Sequence, residues 1–314
     1  MSNLRLTRIP TSLWIHLVLA AMALSSATLF GAWSFGAYDP STPLIGVDLL
    51  SVGRVADAWE LLLSVLGSGL PYAIGVTVFF VTHEMGHFLA CRYHGVACTW
   101  PFFIPAPPPM HLGTLGAVIV IRSRIPNRRA LFDIGVAGPL AGAVVALGLV
   151  IWGVVASPQN AAVAGPLPGE LWGDSLLTCL LKHWLRPDLG SGAPLHPLFM
   201  AGWVGLLATS MNLIPAGQLD GGHIVYSFAP ALHRGIGALS AAFLLGLVGT
   251  SMIHWGTPSV WLIWAVVVVV WGRRHPSLLD ESDQLGWPRV VLAALAALIL
   301  VTSFMPHPIV FSDP

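Results

Sequence analysis

Long apolar runs of bilayer length, separated by short polar or Pro/Gly-rich stretches, dominate the chain. Hydropathy places candidate spans at Leu13 to Phe35, Pro71 to Tyr93, Leu131 to Ala156, Leu198 to Ile214, Ile236 to Ile253, Pro258 to Trp271 and Val290 to Phe304. They run from 14 to 26 residues and are read as spans against the roughly 20 residues a helix needs to cross hydrocarbon. Leu13 to Phe35 is longer than a signal-peptide core and reads as a retained first span. Arg54 to Leu66 puts Val55, Trp59, Leu62 and Leu66 on one helical face. That suits either an interfacial helix or an extension of the second span, kinked at Pro71. Leu112 to Ile121 is rich in Val and Ile but bounded by a Pro run and Arg122, which predicts strand. The expected fold class is an all-α polytopic membrane protein with about seven transmembrane helices, carrying one short membrane-associated β-hairpin or strand.

Composition agrees with that class. Hydrophobic residues make up 55% and charged residues 9%, with a mean hydropathy of +0.78, against about 25% charged in soluble domains. The formal net charge is +0, so no global field recruits nucleic acid; the expected surroundings are a lipid bilayer. With the N-terminus inside, all of the 14 Lys and Arg residues except Arg54, Lys182 and Arg186 fall on the inner side. This asymmetry directs the N-terminus to the cytoplasm. With no transit-like segment ahead of the first span, the expectation is a bacterial cytoplasmic membrane. The 3 cysteines, Cys91, Cys98 and Cys179, show no CxxC spacing and suggest neither a disulfide framework nor a thiolate metal site.

Candidate chemistry sits inside the second span, at His83-Glu84-Met85-Gly86-His87. Ionisable groups in hydrocarbon cost about 3 kcal/mol or more each, so they mark function. Residues four apart stack on one helical face, so His83 and His87 can reach one metal ion with Glu84 beside it. A catalytic zinc site wants three protein ligands and an open position. Cys91 lies about 12 Å further along the axis and His94 further still, so the third ligand comes from another span. Asp220 is the best candidate, in the Pro/Gly-rich interruption Asn212 to His223 that follows the fourth span on the same inner side. Irregular backbone at that depth is tolerated only against protein or a water-filled cavity. The plain alternative for Asp220 alone is a helix-start or turn aspartate. Asp133 reads as a helix N-terminal charge, and Gly138 and Gly142 as packing positions.

These motifs resemble the site-2 protease family of intramembrane zinc metalloproteases. The likeness rests on His83 to His87 and on Asn212 to Gly221, which fits the family's NxxPxxxLDG pattern. Gly138-Pro139-Leu140-Ala141-Gly142 is similar to its middle-helix motif, and Gly113-Thr114-Leu115-Gly116 to its GxxG-type substrate-edge strand. Pro101 to Pro105, followed by Arg128 to Asp133, further resembles the cyanobacterial and plant chloroplast branch that lacks PDZ domains. The resemblance implies that His83, His87 and Asp220 hold one Zn2+ per chain and that Glu84 activates water. It also implies that Asn212 supports the substrate or reacting centre and that Gly113, Thr114, Leu115 and Gly116 line a substrate strand edge near the active site. Asn212 and His223 both stay open as oxyanion donors. Three divisions follow: 1–70, an N-terminal span and outer segment; 71–234, the metalloprotease core; and 235–314, accessory spans. The implied substrates are transmembrane proteins. The competing readings are a metal or proton transporter, since intramembrane His and Asp also mark ion pathways, and a non-proteolytic membrane scaffold.

Overall fold

The computed structural model describes residues 13–35, 48–106, 112–158, 170–189, 195–271 and 275–311, and among these described residues apolar runs and their end signals set nine principal helices. They are α1 (Leu13–Ser34), α2 (Val55–Tyr93), α3 (Arg128–Ala156), α4 (Leu176–Leu185), α5 (Pro197–Asn212), α6 (Asp220–Phe228), α7 (Pro230–Trp255), α8 (Trp261–Trp271) and α9 (Trp287–Ser303). Local chemistry explains the boundaries. The Asn127 side chain accepts from the Ala130 amide at 2.9 Å to start α3, Ser175 and Thr178 form a capping box on α4, and Gly256 closes α7 at φ 67°.

Four helical segments among the described residues are long and apolar enough to cross a membrane: Trp14–Ser34, Val55–Tyr93, Arg128–Ala156 and Pro230–Trp255. The other three expected spans correspond to shorter helices, α5, α8 and α9, of 16, 11 and 17 residues. Prolines fix where α5 and α9 begin. The opposite departure occurs in α2. It runs 39 residues without a break through Pro71, about 58 Å at 1.5 Å per residue. Arg54 to Leu66 therefore extends the second span, and residue 70 lies inside a continuous helix.

The main core lies where α2, α3 and α5 pack together, with Tyr72, Val76 and Phe79 meeting Ala146, Val150 and Trp203. A second cluster joins Phe132 and Val136 of α3 to Leu213, Ile224 of α6 and Ala296 of α9. The predicted strand is present as β2 (Thr114–Val118), antiparallel to β1 (Phe102–Pro105), with an irregularity between Ile104 and Pro105. Tyr72 donates to the Leu112 carbonyl at 2.9 Å and Ser26 to that of Gly113, which ties this hairpin to α2 and α1. A second two-stranded sheet pairs β3 (Glu170–Trp172) with β4 (Ile309–Phe311).

Residues 275–286 form an extended strap between α8 and α9. Its backbone pairs with the lead into α3, Leu279 N–H to Ile125 O at 3.2 Å and Asp280 N–H to Pro126 O at 2.9 Å. Arg129 donates to the Gln284 carbonyl at 3.0 Å. The strap thus crosses the core at the end of α3 where the ionisable motifs lie.

Candidate metal centre

One turn of α2 separates His83 from His87, so both imidazoles leave the helix on the face that meets α3. Their Nε2 atoms are 3.1 Å apart, and Asp220 Oδ2 lies 3.4 Å from each. A tetrahedral zinc ion with bonds of about 2.0–2.1 Å spaces its ligand atoms about 3.3–3.4 Å apart. The three atoms therefore fit a zinc ion without rearrangement. Glu84 also has a carboxylate oxygen within 4.8 Å of the imidazole nitrogens. The triangle with Asp220 is the tighter set, and it leaves Glu84 beside the cluster.

Burial and tautomer suit the same use. His83, Glu84 and His87 are buried. His87 Nδ1 lies 2.7 Å from the Ile134 carbonyl oxygen; a carbonyl only accepts, so Nδ1 carries the proton and Nε2 keeps its lone pair for a metal. Asn212, the last residue of α5, brings Nδ2 to 3.4 Å from His83 Nε2.

Backbone close approaches bring Asp220 to the pair. Gly217 adopts φ 57°, turning the chain between α5 and α6. A methyl group on Gly221 would lie 2.0 Å from the Leu213 carbonyl oxygen, and one on Gly222 would lie 2.4 Å from that of Gly217. Only glycines let this loop fold onto the start of α6, which places Asp220 in its first turn.

The α3 glycines do more than pack helices. A Cβ on Gly138 would sit 2.1 Å from His87 Nε2, and one on Gly142 would sit 3.0 Å from His83 Nδ1. On the facing helix, a Cβ on Gly86 would fall 2.5 Å from the Ala137 carbonyl oxygen. These positions make the space the imidazoles occupy.

The four expected substrate-strand residues occupy the hairpin in different ways. Gly113 has φ 67° and Gly116 φ 104°. Gly113 packs against Ala27 of α1, and Gly116 against the Phe80 ring, one turn before Glu84. Thr114 is buried and donates to the Ile104 carbonyl at 3.1 Å, whereas the Leu115 side chain is exposed. Asp133 serves as a cross-link: Arg289 of α9 donates to both its oxygens at 2.8 and 2.6 Å, and His94 Nε2 lies 2.9 Å from Oδ2. The ends of α2, α3 and α9 meet at this one carboxylate.

Residues 71–254 match the profile of peptidase family M50. The rice (Oryza sativa subsp. japonica) protein named probable zinc metalloprotease EGY1, chloroplastic, is 34% identical over 309 residues, covering 93% of this chain and 51% of its own length. The Arabidopsis thaliana protein of the same name is 32% identical, with 95% of this chain and 54% of the relative covered. Arabidopsis probable zinc metalloprotease EGY2, chloroplastic, is 29% identical, with coverages of 90% and 50%. The chain thus spans about half the length of these curated relatives. The expectation of a bacterial cytoplasmic membrane gains no support from them, since their names are chloroplastic. No solved structure matches the chain significantly.

Proposed function

Because the chain belongs to peptidase family M50, we propose that it is an intramembrane zinc endopeptidase of the site-2 type, hydrolysing peptide bonds within or near transmembrane segments of membrane proteins. The observation that carries this reading is the triangle of His83 Nε2, His87 Nε2 and Asp220 Oδ2, with edges of 3.1, 3.4 and 3.4 Å. Those residues are the ligands proposed for one zinc ion per chain. Zinc held there supplies a Lewis acid that acidifies water and polarises a peptide carbonyl.

The protein's own groups do the rest. Glu84, adjacent to His83 and buried with it, takes the proton of the attacking water and returns it to the leaving amine nitrogen. Asn212 has an amide donor on the same side as the ligand atoms and serves the oxygen of the reacting carbonyl. A transmembrane substrate arrives as a helix whose peptide bonds are hidden, so it must unwind. The edge of β2 offers main-chain pairing to the extended segment, with Gly113, Thr114, Leu115 and Gly116 at its start and Leu115 presenting the exposed side chain.

The shorter apolar helices α5, α8 and α9 complete a seven-span arrangement with the four long ones. The basic-residue asymmetry orients the N-terminus and the metal centre towards the cytoplasmic side of that membrane. A transporter has no use for a carboxylate placed as Glu84 is beside a complete ligand triangle, which favours the peptidase.

The test is cleavage of a transmembrane reporter in proteoliposomes. Glu84→Gln is expected to keep zinc and lose turnover by at least about a hundredfold, the range of general acid–base contributions. Val118→Pro, which breaks the hairpin pairing with Phe102, is expected to slow cleavage while zinc stays bound. Undiminished cleavage by Glu84→Gln would remove the proposed mechanism.

A further inference from the structure

Two histidines outside the ligand triangle grip the segment that carries Asp220, and both come from elements further along the chain. His233, near the start of α7 and only 1% exposed, donates from Nε2 to the Gly217 carbonyl at 3.0 Å. His275 lies at the start of the strap. Its Nε2 is 2.8 Å from Nδ1 of His223 on α6.

The direction of that second bond is fixed by a third. His275 Nδ1 is 2.8 Å from the Pro276 carbonyl oxygen, which can only accept, so Nδ1 carries the proton. A neutral imidazole has one N–H. His275 Nε2 is therefore an acceptor, and His223 Nδ1–H is the donor. Burial keeps both rings neutral, lowering His223 to about 3 and His275 to about 4. The His275 ring is held in place by Tyr226, stacked at 4.0 Å between centroids, and by the edge of His233 at 5.6 Å. The Tyr226 hydroxyl in turn donates to Glu281 of the strap at 2.9 Å. His223 stands one helical turn from Asp220, and its ring feels the charges of Asp220 and His87.

We propose that His275 is a positioning residue for the metal centre: by accepting the Nδ1 proton of His223, it holds that ring with a bare Nε2. In this state His223 is a hydrogen-bond acceptor in the site, not the donor that a developing oxyanion needs, and of the two candidates the donor is Asn212. The strap thereby sets the chemistry of a ring it meets edge-on, with centroids 5.0 Å apart. The inference rests on reading His83, His87 and Asp220 as metal ligands.

The test combines a spectrum with a substitution pair on the whole of this chain. Nitrogen-15 histidine spectra, with the His223 signals assigned by their loss in His223→Asn, report which ring nitrogen carries the proton. The expected result is the Nδ1–H form in wild type and in His275→Gln, whose side-chain oxygen replaces the acceptor, and loss of that preference in His275→Ala. Reporter cleavage is expected to fall about tenfold in His275→Ala, as for other outer-shell partners, and to return in His275→Gln, with zinc content unchanged in both. A wild-type spectrum showing the Nε2–H form, or equal cleavage by His275→Ala and wild type, overturns the proposal. Failure of the underlying reading shows differently, as wild-type protein that binds no zinc.

Discussion

Gly138 and Gly148 both lie in α3, yet a methyl group on the first would sit 2.1 Å from His87 Nε2, and on the second it would meet nothing within 4 Å. Gly86, Gly135 and Gly142 behave as Gly138 does, whereas Gly246 and Gly249 of α7 face open space as Gly148 does. Glycine in apolar helices is usually explained by helix packing alone. Here part of the crowded set lies against the candidate ligands, since Gly138 and Gly142 face the two imidazoles and Gly135 faces His223, whereas Gly69, Gly153 and Gly202 are as crowded but meet only neighbouring helices. The open set lies outside those contacts. Crowded glycines thus serve two ends, close helix packing and room for the imidazoles proposed to hold a metal, and the open ones serve neither.

Adding single methyl groups breaks or sharpens that contrast. Gly138→Ala places an atom on His87 Nε2, a proposed ligand atom, and is expected to lower zinc affinity about a hundredfold, the upper range for residues supporting a ligand, measured by chelator competition. Gly142→Ala meets His83 Nδ1 at 3.0 Å, where a small shift relieves the contact; about a tenfold loss of affinity is expected in the same assay. Gly148→Ala is expected to leave zinc affinity and cleavage unchanged. Its thermal midpoint should hold or rise, because alanine favours helix over glycine by about 1 kcal/mol. Equal zinc affinity in all three variants would show that the crowding around the imidazoles is relieved without disturbing them.

How far the site could be read from sequence depends on the distance over which its parts communicate. His83, Glu84 and His87 were legible because helical geometry alone puts four-residue neighbours on one face. Asp220 was legible because a Pro/Gly interruption at membrane depth needs a reason. The strand at Leu112 to Ile121 announced itself by β-branched residues inside a short, bounded run and appears as β2. The spans were only partly legible: the apolar runs behind α5, α8 and α9 have just 17, 14 and 15 residues and give helices of 16, 11 and 17, whereas helical hydrogen bonding carries α2 well beyond its apolar run. The role of the α3 glycines was hidden, because their spacing is visible but the atoms they face belong to other elements. Asp133 and Arg289 are 156 positions apart and His223 and His275 are 52 apart. Neither pair leaves a local pattern, and each forms only when the strap and α9 close over α3 and α6.

The most direct measurement is zinc per purified chain, by elemental analysis, for wild type and Asp220→Ala prepared side by side. The expected result is about one zinc in wild type, as a three-ligand site with one open position requires, and a clear loss in the variant. Folded wild-type protein without zinc, or an Asp220→Ala variant that keeps a full complement, would contradict the three-ligand centre on which the proposed peptidase rests.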